Sequence, residues 1–485
     1  MTIVSILDGH PDDATALIEG GQHTTYAELR VLRDQTRAGL VAAGVAPGDR
    51  VAILCGNTRS SVVSLLAVAS GGMIATVLNP SSPLHELERQ IATVDARLLL
   101  VGSEPPAGLA IDLATPAGTI VPGVDALADA PYAEPHDSSP DDVAITLFTS
   151  GTAGPPKAAM LTHRNLRFVQ EALMAHADAS VGPETVNLVA LPLSHVYGLN
   201  VCLFTTLRAG GTVVLMGRFD PVGAADLVVE HGVTLFPGVP PMWRALVDNE
   251  AVDGTTFATI QRMTSGASAL PKALFNDFKN RFGVELREGY GLTETASLAT
   301  ASIGGPVRQG SVGMAFPGIE VVVVDYDDKV APFDDSGAVK VRGPNVFAGY
   351  WGDEEATKSV LDDEGWLRTG DVGVMSEDGF LYLVDRAKDL IIVSGFNVYP
   401  FEVEEVVAQH PSIDQCVVVG RDDDARGERI VAYVTLANGA TAPTLDDVVD
   451  FCRMEIARYK CPSELHVVDQ LPIAPSGKPI RRDLI

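Results

Sequence analysis

The segment Thr149-Ser150-Gly151-Thr152-Ala153-Gly154-Pro155-Pro156-Lys157 packs three hydroxyls, two glycines and a lysine into nine residues. A loop of this kind turns backbone N–H groups and hydroxyls towards a phosphate, and its lysine adds positive charge. It follows the apolar run 143–148, as a strand-to-loop phosphate cradle would. Gly151 and Gly154 are three apart, so the spacing is not that of a Walker A motif. An ordinary glycine turn is the competing reading.

Four further segments carry groups able to do chemistry. Residues 191–198, Leu-Pro-Leu-Ser-His195-Val-Tyr197-Gly198, place an imidazole and a phenol just beyond an apolar strand. Residues 288–294 offer Glu288, Gly289, Tyr290, Thr293 and Glu294 within one turn-rich stretch. Arg368-Thr369-Gly370-Asp371 ends on a carboxylate, and Pro475-Ser476-Gly477-Lys478 ends on a lysine. Taken singly, each has a plain reading as a satisfied or solvated polar residue.

The elements that must position these groups read as α/β. Short β-rich runs at 51–55, 98–101, 186–191, 212–216 and 321–325 alternate with helical patterns such as 26–43 and 84–94. That alternation predicts parallel sheets covered by helices. The greasy run 62–78 is broken by Ser64, Ser70, Gly71 and Gly72, and reads as a buried helix, a turn and a strand rather than a membrane span. Residues 105–142 carry little periodicity and read as a surface connection. Residues 371–385 suggest two strands joined at Asp378-Gly379. The texture then changes: a charged tetrapeptide, Arg386-Ala387-Lys388-Asp389, leads to an apolar run and to Pro400, which opens a helix. The chain therefore divides into residues 1–385, a hinge at 386–390, and a small α+β domain over 391–485.

At 485 residues the chain has material for large buried cores. Its 46% apolar and 20% charged composition is that of a globular protein. A net charge of −28 argues against a nucleic-acid partner, since phosphate backbones are bound through clustered lysine and arginine. Five scattered cysteines without C-x-x-C spacing fit free thiols in a reducing cytoplasm and argue against a zinc site.

In order and spacing, the chemical segments resemble the adenylate-forming superfamily of acyl- and aryl-CoA synthetases, luciferases and peptide-synthetase adenylation domains. The resemblance extends over nearly the whole chain. It also includes Thr24-Thr-Tyr-Ala-Glu-Leu29, Val339-Lys-Val-Arg-Gly-Pro-Asn-Val-Phe-Ala-Gly-Tyr-Trp351 and Trp366-Leu-Arg-Thr-Gly-Asp371. It implies an α/β fold: a large N-terminal domain with two helix-covered sheets and a small β-barrel-like subdomain, followed by a small mobile α+β C-terminal domain. It also implies a reaction in which a carboxylate attacks the α-phosphorus of ATP, pyrophosphate leaves, and the thiol of CoA takes the acyl group. Catalysis of the first step is mainly positioning and charge neutralisation on phosphates.

The resemblance assigns roles to residues. Thr149, Ser150, Gly151, Thr152, Gly154 and Lys157 would cradle pyrophosphate. Thr293 would contact the α-phosphate and Glu294 would hold Mg²⁺. Tyr290 would lie on adenine, with the backbone of Gly266, Ala267, Glu288 and Gly289 nearby. Asp371 would accept from the ribose hydroxyls, beside Arg386. Lys478 would bridge carboxylate and α-phosphate in the transition state. Lys388 would be the pivot, and Ser394, Gly395 and Phe396 would line the CoA path. His195, Tyr197, Gly198, Phe236, Val239, Met242, Gly266, Gly289 and Leu292 would surround the acyl group, and His195 would join Lys478 and Thr293 as a catalytic residue.

Ala153 and Ala158 depart from the family pattern, which usually has a hydroxyl and a glycine there. A lost hydroxyl is worth about 0.5–1.5 kcal/mol, somewhat more against a charged phosphate, enough to weaken ATP binding without abolishing it. No acidic residue in 194–198 awaits a substrate ammonium. The acyl segments are apolar, which favours a medium- or long-chain fatty acid. The alternatives are an aryl-CoA ligase, a ligase passing its adenylate to an acyl carrier protein, and a non-catalytic acyl-AMP binder. A serine hydrolase is disfavoured by the absence of a Gly-x-Ser-x-Gly elbow.

Overall fold

Alternating strands and helices bury their apolar faces in sheets of two kinds. The computed structural model describes residues 2–101, 120–121, 132–149, 156–176, 178, 181–305, 307–386, 391–393, 396–423, 427–472, 481 and 484. The first sheet has six strands in the order Ile120–Val121, Leu98–Val101, Arg50–Leu54, Ile74–Leu78, Val143–Thr149 and Lys157–Thr162. All its neighbours are parallel except the last pair. Its central strand, Ile74–Leu78, is buried at every residue, as expected where helices cover both faces. The preceding helix, Arg59–Ser70, is capped by Thr58 and buried from Ser61 onwards, so the run 62–78 does form helix, turn and strand.

The second sheet follows a continuous path of thirteen strands. Its parallel half runs Leu286–Tyr290, Arg262–Ser265, Leu235–Gly238, Val186–Val189, Thr212–Leu215 and Thr15–Glu19. Beyond Leu286–Tyr290 the pairing turns antiparallel and the sheet continues through short strands to Leu367–Met375 and Phe380–Arg386. The latter two are joined at Asp378-Gly379, where Gly379 has φ +85°. The helix Tyr26–Ala42 begins on a reciprocal box, Thr25 hydroxyl to Glu28 N–H and Glu28 carboxylate to Thr25 N–H. One apolar core runs through both sheets.

A third sheet, with Ile413–Asp423 and Gly427–Leu436 at its centre, has its own core around Val403, Val418, Val434 and Cys452. The helix Pro400–Val407 packs on it and starts, as expected, with proline in its first turn. The fold is thus a large α/β domain of two sheets with an antiparallel extension, and a small α+β domain after it.

Candidate active site

The strands Leu286–Tyr290 and Leu367–Met375 bring together two residues 81 positions apart. The Tyr290 hydroxyl donates to Asp371 Oδ2 at 2.6 Å, and both residues are buried. Asp371 is fixed further by its own N–H, which donates to Thr369 Oγ1 at 3.1 Å, and Thr369 is tied to Val339 O at 2.8 Å. Arg386 is the cross-strand neighbour of Asp371. A buried carboxylate with one oxygen committed to a phenol keeps acceptor capacity for a vicinal diol.

After Tyr290 the chain makes a tight loop. Gly291 is required there, because a Cβ would lie 2.1 Å from Ser297 O. Ala296 and Ser297 take φ +49° and +88°, left-handed values that non-glycine residues rarely adopt. Two buried amides over-determine the loop: Asn200 Nδ2 donates to Ala296 O (3.0 Å) and Asn345 Nδ2 to Leu298 O (2.6 Å). Strain held this firmly is characteristic of functional loops. Thr293 and Glu294 sit at its apex, half-buried.

The phosphate-type loop is bracketed by an antiparallel strand pair in which Thr149 faces Lys157 and Phe148 faces Ala158. Ser150, Gly151, Thr152 and Gly154 lie outside the described residues. Ala158 is buried, with its methyl in a small apolar cluster with Leu54, Leu78, Phe148 and Trp351. Side chains alternate along a strand, so Lys157 and Ala158 project to opposite faces. The Lys157 ammonium stands 5.3 Å from the centre of the Tyr350 ring, and the Tyr350 hydroxyl donates to Glu294 Oε1 at 2.6 Å. Burial and the Glu294 charge push the phenol's pKa well up, so it is a donor at any physiological pH.

Glu294 Oε2 has no partner among the described residues. No group of three or more metal-ligating side chains occurs among them either. One free carboxylate oxygen suits Mg²⁺, which takes one or two protein carboxylates and fills its shell with phosphate and water.

Of the residues expected around the acyl group, Tyr197 and Gly198 open an eight-residue π-helix, Tyr197–Phe204. Gly198 is needed at its start, where a Cβ would lie 2.4 Å from Pro192 O. Asn57, buried between the sheets, donates to Val189 O, Leu191 O and Met216 O and accepts from Leu193 N–H, which fixes the entry to the His195 turn. His195 is exposed. The Tyr197 hydroxyl is bonded to Thr264 Oγ1 at 2.8 Å. Its ring occupies the space beside Gly266, whose Cβ would meet it at 2.9 Å. Val239 and Met242 are buried nearby in sequence at the start of the helix Pro240–Asp248. Phe236 is fully buried against Trp243, with ring centres 5.2 Å apart, and so belongs to the aromatic core rather than to an open surface. Leu292 lies in the glycine loop, and Gly289 pairs with Ala301.

Ala267 takes φ +66° just after Gly266. Glu288 turns its carboxyl to Leu270 N–H at 3.3 Å; burial, with some repulsion from Glu405, raises its pKa to about 8. Lys388, Ser394, Gly395 and Lys478 lie outside the described residues, and of Arg386 and Phe396 only the backbone is described. Asn57, Asn200, Asn345 and Tyr350 were not singled out from the sequence. Only the Asn in the otherwise apolar stretch 197–204 and the Tyr-Trp ending of 339–351 hinted at them.

The AMP-binding enzyme family matches residues 6–351, and the AMP-binding enzyme C-terminal domain matches residues 402–478. The chain is similar to 4-coumarate–CoA ligase 3 of Oryza sativa subsp. japonica, 34% identical over 96% of this chain and 88% of that protein. It is also similar to the long-chain-fatty-acid–CoA ligase of Bacillus subtilis (strain 168), 33% identical over 98% and 91%. The crystal structure of ATP-bound MatB from Rhodopseudomonas palustris superimposes with a TM-score of 0.92 at 32% identity, covering 100% of this chain and 98% of that one.

Proposed function

The chain belongs to the AMP-binding enzyme family as an AMP-forming acid–CoA ligase, and we propose that its acid is an apolar monocarboxylate of the medium- or long-chain fatty acid class. The observation that carries this reading is an acyl wall without a free charge. Val239 and Met242 are buried and apolar, and the one polar group of Tyr197 is engaged by Thr264. A second carboxylate would need a cation. Arg308 is engaged by Asp378 and stacks 3.9 Å over the Phe380 ring. Arg262 opens its strand four residues before Gly266, about 13 Å away along the strand. An aryl acid is the second reading, favoured by the flat Tyr197 ring beside Gly266.

In the adenylation step, a carboxylate oxygen bonds to the α-phosphorus while the bond to pyrophosphate breaks. Asp371 accepts from the ribose hydroxyls and Tyr290 bears on adenine. Thr293 contacts the α-phosphate, and the loop from Thr149 to Lys157 neutralises the leaving pyrophosphate. Glu294 would hold Mg²⁺, which when bound would supply further charge neutralisation on the phosphates. Lys478 is delivered by the small domain. A rotation about Lys388, within the boundary at 386–390, then lets Ser394, Gly395 and Phe396 admit CoA. Its thiol takes the acyl carbon and AMP leaves. Among the described residues no helix is long and apolar enough to cross a membrane. All five cysteines are unpaired, which suits a reducing cytoplasm.

The test is mass spectrometry of products after incubation with ATP, Mg²⁺, CoA and a panel of fatty, benzoic, cinnamic and dicarboxylic acids. Fatty acyl-CoA is expected. Aryl-CoA alone would move the assignment to the second reading. Acyl-AMP without acyl-CoA would point to a carrier-protein acceptor, and no product would make the chain a binder.

A further inference from the structure

Lys157 and Glu294 carry opposite charges and both contact Tyr350, yet among the described residues no ion pair joins them. What lies between them is Tyr350. Its ring face holds the ammonium and its hydroxyl holds the carboxylate. The tyrosine is itself anchored on every side. Met160 N–H donates to Gly349 O (2.9 Å) and Trp351 N–H to Ala158 O (2.8 Å), so the segment is strapped to the strand that begins at Lys157. Tyr350 N–H donates to Thr357 Oγ1, and the Phe347 ring packs edge-on at 4.9 Å.

We propose that Tyr350 is a positioning residue that keeps Lys157 and Glu294 apart, so that a phosphate and its metal can enter between them. The inference rests on the ligase reading above, in which these two residues serve the phosphates. Two opposite charges free to meet would form a direct pair that must be broken each time a nucleotide binds. A tyrosine avoids this by offering each charge a partner of its own. The ring quadrupole attracts the cation, and the phenol donates to one carboxylate oxygen while leaving Oε2 for the metal.

The experiment is calorimetric titration of the full chain with AMP, with ATP in EDTA, and with ATP over a Mg²⁺ series. Tyr350→Phe keeps the ring and loses the donor. It is expected to raise the Mg²⁺ concentration for half-maximal ATP binding about tenfold, with AMP affinity unchanged. Tyr350→Leu loses both partners and lets the charges pair. Its metal-free ATP affinity is expected to fall about tenfold, and adding Glu294→Gln is expected to restore it by releasing Lys157. Loss of a merely structural contact would not be repaired by that second change. AMP binding reports an intact fold, and if Tyr350→Leu loses it, Tyr350→Phe alone decides. Parent-like Mg²⁺ dependence in Tyr350→Phe, or no recovery in Tyr350→Leu/Glu294→Gln, overturns the spacer. A parent chain that binds no ATP would sink the ligase reading instead.

Discussion

The ribose wall and the seam between the two domains are built from opposite materials. On the wall, Tyr290 and Asp371 meet at 2.6 Å with both side chains buried, each carried by a strand of the same sheet. Across the seam, Lys272 Nζ stands 3.8 Å from Glu405 Oε2 with the lysine 57% exposed, and the Ser336 and Tyr399 hydroxyls are 3.4 Å apart at the surface. A hydrogen bond to a charged group contributes about 1.5–3 kcal/mol, whereas an exposed ion pair contributes about 0–1 kcal/mol. The wall is preorganised and the seam is separable. That is the division of labour expected if one domain holds the nucleotide still while the other is exchanged between two tasks.

The most severe way to break the contrast is to remove the lysine that the small domain is proposed to bring. Lys478→Ala is expected to slow adenylation by roughly 10²–10³-fold, the usual loss for one transition-state donor. Thioester formation from presynthesised acyl-AMP should survive, because in the proposed rotation that half-reaction uses the other orientation. Equal damage to both would mean that the lysine serves the fold and not the first step. Lys388→Pro makes the converse test. Fixing φ at the proposed pivot should leave adenylation within about twofold and depress thioester formation by about tenfold or more. The wall is probed by Asp371→Asn, which keeps the shape but loses the charge and one acceptor. AMP affinity should drop by about ten- to a hundredfold, with no change in the selectivity among acids.

The buried groups at the wall's back edge give a smaller, pH-dependent effect. Glu288 has its pKa raised to about 8 by burial, so the folded protein holds a proton there that the unfolded chain releases above about 4.5. Stability tied to that proton is present in full below the unfolded value and is lost as pH rises towards 8. Glu288→Gln retains an acceptor for Leu270 N–H without the ionisation. Its melting temperature should exceed that of the parent at pH 8 and approach it at pH 5. A pH-independent difference would show that the carboxyl is solvated in solution.

The contrast also marks what could be read in advance. Groups clustered in sequence could be singled out as candidates: the run from Glu288 to Glu294, Asp371 ahead of its hairpin, and the hydroxyl-glycine-lysine loop, of which 150–155 lie outside the described residues. Also legible were the helix opening at Pro400 and the helix-turn-strand of residues 62–78, because proline, glycine and apolar runs act locally. What escaped were residues whose partners are distant. Asn57 is bonded to the carbonyls of Val189, Leu191 and Met216, and Asn200 to those of Leu166 and Ala296. Nothing in the neighbours of Asn57 distinguishes it from a loop asparagine, and only the apolar stretch around Asn200 hinted at a buried amide. Ala158 taught the reverse lesson. Its departure from the family pattern looked like a threat to the phosphate loop, but strand alternation turns its methyl into the Leu54–Leu78 cluster and away from Lys157.

The gentlest test bears on the seam itself. Lys272→Ala removes the cation opposite Glu405, and at the price of a pair worth about 0–1 kcal/mol it should shift the melting temperature little and leave AMP affinity unchanged. Its effect should appear in the partition between half-reactions. Glu405 then loses its counter-charge in this docked arrangement, which removes an attraction that favours it over the rotated one. Adenylation is therefore expected to fall by less than about fivefold while thioester formation holds or rises slightly. The shift should vanish at high salt, where exposed charges are screened over a few ångströms. A loss as large as that of Asp371→Asn would mean that the seam is as rigid as the wall, and that the two regions do not divide the work between them.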